Sequence, residues 1–339
     1  MLTILLQTAA TRVLSRRRFI ALTAILLAAA NGAPAFAQND GDYPERPIHF
    51  IIPNTSGGTS DILARLIGAR LSDAMGQPVV VESRPGAAGR IALDYMAKAA
   101  PDGYTILLGN NGTNAIVPIE QASHAIDETA LVPVIKLASL AIVVAATPKL
   151  GVSSLRDLIE RARRQPDSLA YASSGIGSTS HMAAALLSQR AGIKLLQIPY
   201  AGTASAVKDV LSGEVPVIFT HLATVATLIG AGQLRALAVT GLHRTAAFPD
   251  IPTVAESGFP GFDVVTWHGV LAPPGTPREI VIRLHDELAR ILAMEDMRAQ
   301  LANLGMEPVG GTPEEFAADI RADRQRWATV IRDAGLPSR

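Results

Sequence analysis

The feature that most constrains this chain is a junction it uses repeatedly. An apolar run of strand length meets a cluster of small residues, and an amphipathic helix follows at once. The first instance is "IIPNTSGGTSDILARLIGARL", beginning at Ile51. The run from Ile48 to Ile52 predicts a strand. Thr59 to Met75 predicts a helix with Ile62, Leu63, Leu66, Ile67 and Leu71 on one face, ended by Gly76 and Pro78. "PVVVES" reads as the next strand, "AAGRIALDYMAKAA" as a helix and "DGYTILLGN" as a turn and strand. This βαβαβ order implies a mainly parallel sheet with helices on both faces. The alternation restarts at "AIVVAAT", continues through "SSLRDLIERARRQP" with Ser153 or Ser154 as N-cap, and runs on to "LRALAVT". A Pro/Gly-rich connector, "PDIPTVAESGFPGF", then leads to the strand "DVVTWHGVLAP" and to two or three polar-faced helices between Pro277 and Ala334. Two αβ units suggest two lobes, and the cleft between them is the default ligand site.

The junctions carry the chemistry. In "YASSGIGSTSHMAAALL" a strand runs into Ser173, Ser174, Gly175, Gly177 and Ser178 before a helix; in "IPYAGTASAVKDVL" the same part is played by Tyr200, Gly202, Thr203 and Ser205. Helix N-termini leave backbone N–H groups unpaired and carry a partial positive charge. Glycines let a ligand approach those groups, and hydroxyls add donors, so each junction is a candidate anion site. Singly, each is also read as a tight turn, with Ser60 or Asp61 as a simple N-cap. Three in two units point to one carboxylate-bearing molecule gripped from both sides. The second is not a dinucleotide loop, because Ser180 stands at the third glycine position, and no Gly-Lys-Ser/Thr ending makes a P-loop.

Composition excludes other classes. The formal charge is zero without a basic block, which argues against nucleic acid. The absence of cysteine removes disulfides, thiol catalysis and Cys-based metal sites. No H-x-x-x-H pair offers metal ligands, and no cofactor is expected. His181 and His221 are expected to line the cleft, while His268 is left open between cleft and core. The alternative to a binding protein is an exported hydrolase using Ser178 with His181. No G-x-S-x-G elbow supports it and no acid is placed to orient the histidine, so the chain is not expected to be an enzyme.

The first 37 residues read as a signal peptide: Arg12, Arg16, Arg17 and Arg18, an apolar run from Phe19 to Ala30, then Ala35-Phe36-Ala37. The apolar run falls short of the ~20 residues a bilayer span needs. "SRRRFIAL" resembles a twin-arginine signal, with an Arg-rich Sec signal as the equal alternative. Removing four Arg and no acid leaves 26 basic against 30 acidic residues, net −4, which suits a soluble periplasmic protein.

From about Tyr43 onward the chain resembles the Bug family of extracytoplasmic solute receptors, the substrate-binding proteins of tripartite tricarboxylate transporters. The resemblance rests on "YPERPIHFIIP", "SGGTSDILARL", "GQPVVVESRPGAAG", "AAPDGYTILLG", "YASSGIGSTSHMAAALL", "IPYAGTASAVKDVLSGEV", "LRALAVTGLHRTAAFPDIPTVAESGFPGF" and "TPEEF". It implies an α/β, two-lobed periplasmic-binding-protein fold of the Venus-flytrap, type II-like kind, with two mainly parallel sheets and a hinge. Lobe 1 would comprise 42–142 plus 265–339, and lobe 2 143–264. It further implies a monomer, a small carboxylate ligand, and inner-membrane tripartite tricarboxylate transporter subunits as partners, or else a sensor role. Carried across, Asn54, Thr55, Gly57, Gly58, Ser60 and Asp61 form the first ligand loop, with Asn110 nearby. Ser173, Ser174, Gly175, Gly177, Ser178 and His181 face them, and Tyr200, Gly202, Thr203 and His221 complete the pocket. The sequence departs from the family at Asn54, usually bulky; at Ser83, usually Asn; at His221, commonly Asp; and at His268, commonly Phe. If that Asp reads a ligand amino group, His221 implies a ligand without one, a plain mono- or dicarboxylate.

Overall fold

A computed structural model describes residues 43–116, 131–200 and 203–333. The expected signal peptide and Gly202 lie outside them. The chain begins as expected: β1 (Ile48–Ile52), α1 (Thr59–Met75), β2 (Val79–Ser83), α2 (Arg90–Met96) and β3 (Thr105–Asn110). It continues with β4 (Val132–Ala146), α3 (Leu155–Arg164), β5 (Ala170–Ser173), α4 (Thr179–Ala191), β6 (Leu196–Pro199), α5 (Thr203–Ser212), β7 (Val217–His221), α6 (Leu222–Gly230) and β8 (Arg235–Val239). It ends with β9 (Val265–Ala272), α7 (Arg278–Ala293), α8 (Glu295–Asn303), β10 (Met306–Gly310) and α9 (Pro313–Asp333).

Local chemistry explains the boundaries. Left-handed Gly76 and Gly192 close α1 and α4. Of the two candidate caps for α3, Ser154 is the one used: its hydroxyl accepts from Asp157 N at 3.1 Å while the Asp157 carboxylate accepts from Ser154 N at 3.1 Å. The buried stripe of α1 is Leu63, Ala64, Ile67, Gly68, Leu71 and Met75, so Ile62, expected on that face, is turned outward at 43% exposure. The stripe is rotated toward its small members because Gly68 lies against Phe50, Val79 and Val81 of the strands beneath.

One ten-stranded sheet runs in the order β2-β1-β3-β9-β4-β7-β5-β6, with β8 and β10 also paired to β4. Its flanks are parallel: β1 with β2 and β3, and β5 with β6 and β7. Its centre is antiparallel, where β4 meets β7, β8, β9 and β10. The expected two mainly parallel sheets are therefore joined through an antiparallel centre, and β4 does the joining. Its first ten residues pair with β9 and β10, and from Ile142 onward it pairs with β7 and β8. At the crossover Ala141 faces Val265, and Ile142 faces His221.

Two stretches escape sequence reading. The first half of β4 contains Pro133, where the register shifts, and Lys136, which breaks the apolar run. β10 contains Pro308, opposite Ala138 beside a second register shift. Proline and irregular pairing erase the period-2 signal in both.

One core gathers Ile51, Leu107, Trp267, Leu271 and Phe316 beside β1, β3 and β9. Another gathers Val144, Leu158, Met182, Phe219 and Phe262, and it also takes Trp327, Val330 and Ile331 from the end of α9. This core thus draws residues from both sides of the expected division, Ala115 and Ile116 among them.

Gly269 of β9 lies where Phe316 and the Ile135 carbonyl close in; a Cβ there would overlap the Phe316 ring and sit 2.8 Å from Ile135 O. Gly269→Ala should lower stability by about 1–3 kcal/mol through overpacking, read as a lower urea midpoint.

Candidate ligand-binding site

The carboxyl ends of the parallel strands and the loops that follow them surround a cavity of about 610 Å³. Two helix starts open on it. At α1 the capping position is Gly58, whose helix receives no side-chain cap, and Gly58, Thr59 and Ser60 line the cavity. At α4 the Ser178 hydroxyl caps the His181 N–H, while Thr179 and Ser180 line the same cavity. The first N–H groups of each helix have no intrahelical acceptor, and residues at both helix starts line the shared space.

Of the residues expected in the site, Asn54, Thr55, Gly58, Ser60 and Asn110 line the cavity on one side. Ser174, Gly175, Gly177 and Ser178 line it on the other, with Tyr200, Thr203 and His221 completing the wall. Four do not reach it. The Asp61 carboxylate is spent within its own loop, accepting from Gly57 N at 2.9 Å and pairing with Arg65 Nε at 2.9 Å. The Arg65 guanidinium, followed by the Gly57 N–H, holds that carboxyl below its usual range against the opposing cost of burial. Gly57 is thereby turned to Asp61. The Ser173 hydroxyl accepts from Gln197, and His181 is buried with Nδ1 accepting from Gly177 N at 3.2 Å. Tyr200 contributes its ring but not a free hydroxyl: the OH donates to Asp209 at 2.7 Å, and burial followed by that contact pushes its pKa up to about 12.

The hydrolase alternative fails on the same geometry. The Ser178 hydroxyl donates to Gly175 O at 2.7 Å and caps a helix, and the His181 Nδ1 lone pair already holds the Gly177 N–H. Neither group is left to make a nucleophile and base.

The cavity also contains residues that sequence reading missed. Pro85, Gly86, Ala88 and Gly89 line it, and the "PGAAG" stretch is one more strand–small residue–helix junction that reads as plain helix. Its Ala87 and Ala88 take positive φ of 46° and 55°, a left-handed backbone costing about 1–2 kcal/mol per residue. Thr113, Thr220 and Thr266 add hydroxyl-bearing side chains to the wall. His268, left open by the sequence, lies on the cavity floor. Ser60 Oγ donates to Asn54 Oδ1, so His268 Nε2 must be the donor in its 3.0 Å contact with Ser60 Oγ. His221 Nε2 meets Thr266 Oγ1 at 2.9 Å, and the two imidazole centroids are 6.4 Å apart. Burial lowers His221 to about 4. Burial, with His221 as second cause, lowers His268 to about 3, so both are neutral at physiological pH.

Among the described residues no Lys, Arg, Asp or Glu side chain lines this cavity. Its polar character is supplied by helix-start amides, hydroxyls, carboxamides and two neutral imidazoles. Among the described residues no cluster could hold a metal ion, and no helix is long and apolar enough to cross a membrane. A concave site lined by hydroxyls, carboxamides and neutral imidazoles is suited to holding a small solute.

Relatives agree. The profile of the tripartite tricarboxylate transporter family receptors matches residues 63–336. Protein BugT of Bordetella pertussis is 36% identical over 322 residues, covering 94% of this chain and 98% of that protein. The structure of R. palustris Rpa4515 with adipate is 38% identical, covers 87% of this chain and 99% of its own, and has a TM-score of 0.82. MatC from Rhodopseudomonas palustris with bound malate is 29% identical, covering 85% and 100%, with a TM-score of 0.78. The chain belongs to the tripartite tricarboxylate transporter receptor family.

Proposed function

We propose that this protein is a periplasmic receptor that closes around a small dicarboxylate and delivers it to an inner-membrane tripartite tricarboxylate transporter. The observation that carries this reading is a polar cavity, lined by residues of two helix starts, to which the described residues bring no formally charged side chain. Helix-start amides favour an anion. An ammonium group would find no carboxylate to neutralise it, which disfavours amino acids. The volume falls within the usual range for small-molecule sites, and two relatives hold adipate and malate. Closure would be a hinge motion at the β4 and β9 crossover, with the end of α9 moving with the 143–264 half whose core it shares. Asn111 supports this picture: its side chain donates to Val265 O at 2.8 Å and accepts from Thr179 Oγ1 at 2.9 Å, tying one half to the other at the cleft.

A thermal-shift panel of the mature protein tests the ligand class. Adipate and malate should raise Tm, by the equivalent of about 2.7 kcal/mol at a concentration of 100 Kd, and should outperform hexanoate. Glutamate performing as well as adipate, or no shift with any acid, would overturn the assignment. A second test addresses the loop. Asp61→Ala removes the carboxylate that orients Gly57 without touching the cavity wall, and should weaken the dicarboxylate by about tenfold, the worth of one hydrogen bond to a charged group. Unchanged affinity in that variant would show that the loop needs no such brace.

A further inference from the structure

A second cavity, of about 680 Å³, lies behind the first. Ala141 and Val265, paired across β4 and β9, line it, while their chain neighbours Ile142 and Thr266 line the first cavity. Successive residues of a strand point to opposite faces, so the two crossing strands are a common wall with one cavity on each side.

The chemistry of the second cavity is opposite to that of the first. Its lining carries two carboxylates, Asp263 and Glu307, and no Lys or Arg. Neither carboxylate has an ion-pair partner among the described residues. The nearby Arg244 is committed elsewhere, to Glu256 and to Pro249 O, and His243 is the remaining titratable side chain on the rim. Phe248, Leu242 and Ala246 supply apolar surface, with Leu242 51% exposed. Thr245, only 8% exposed and on the same wall, has a hydroxyl without a hydrogen-bond partner, which is costly in a finished core.

We propose that this cavity is a second binding site, for a small organic cation whose ammonium or guanidinium group meets Asp263 and Glu307 and whose apolar body lies against Phe248. A concave, mainly apolar pocket of this volume with a few polar groups on its lining suits a small molecule. The inference does not depend on which acid the first cavity takes. An occupant here would bear on the strands that carry Ile142 and Thr266, so it sits where the state of the first site can be felt.

Calorimetric titration of the mature protein with 2-phenylethylamine tests the proposal, with 3-phenylpropionate as the oppositely charged control. The amine should bind and the acid should not bind at this site. Asp263→Asn combined with Glu307→Gln should weaken the amine at least tenfold. Ala246→Trp, at an exposed position on the wall, should block it by filling the space and serves if the double variant folds poorly. The same amine affinity in both variants, or no binding to the native protein, overturns the proposal. Loss of a transporter subunit's binding in Ala246→Trp, without amine binding to the native protein, would overturn it in favour of a protein partner.

Discussion

Acidifying the ligand-free protein from pH 7 to pH 5 should lower its Tm by roughly 10 °C, because buried His181 and His268 and half-buried His221 must be kept neutral. Burial lowers His181 and His221 to about 4 and His268 to about 3, each from an ordinary value of 6.5. The unfolded chain therefore takes up protons first. The stability these groups confer is fully present above pH 6.5 and is lost as pH falls toward their folded values. At pH 5 each histidine contributes a loss of about 2 kcal/mol. Asp323, raised chiefly by burial, works in the opposite sense. The lowered carboxyl groups of Asp61, Asp157 and Glu256 add their losses only further into acid. Calorimetric scans at pH 7, 6 and 5 check the slope, and a flat Tm across the range would contradict the neutral, buried histidines. His268→Gln should make the slope shallower by about one histidine's share.

The second large effect concerns charge in the cavity. Ser174 is exposed on the cavity wall beside Gly175, so Ser174→Asp should fold normally. It would bring a negative charge to a site whose neutral lining suits an anion. Like charges about 4–5 Å apart at an effective dielectric near 20 repel by roughly 3–4 kcal/mol. Dicarboxylate affinity should therefore fall by about a hundredfold or more, while the urea midpoint stays near that of the native protein. Retained affinity would mean that the acid sits away from Ser174.

Much of the fold could be read from the sequence because its signals are local. The β1-α1 junction is marked by a clean apolar run, small residues and a terminal Gly76, and the structure begins and ends those elements at the expected residues. What escaped reading depends on distant pairing. Pro133 and Pro308 hide two strands that exist because β9 and β4 supply their partners. At the site, the small residues of the junctions were legible by type, but side-chain direction was not. Asp61 and His181 have the right chemistry and sequence position, yet each turns inward to hold a glycine N–H of its own loop. Conversely, Thr266 and His268 reach the cavity through the register of β9 against β4, which no local pattern encodes.

The most direct measurement is calorimetric titration of the mature protein with adipate and, separately, with glutamate at pH 7.5. One adipate should bind per chain and be returned chemically unchanged, with glutamate far weaker because the described lining offers its ammonium no counter-charge. Glutamate binding as tightly as adipate, or conversion of either acid into another compound, would contradict it.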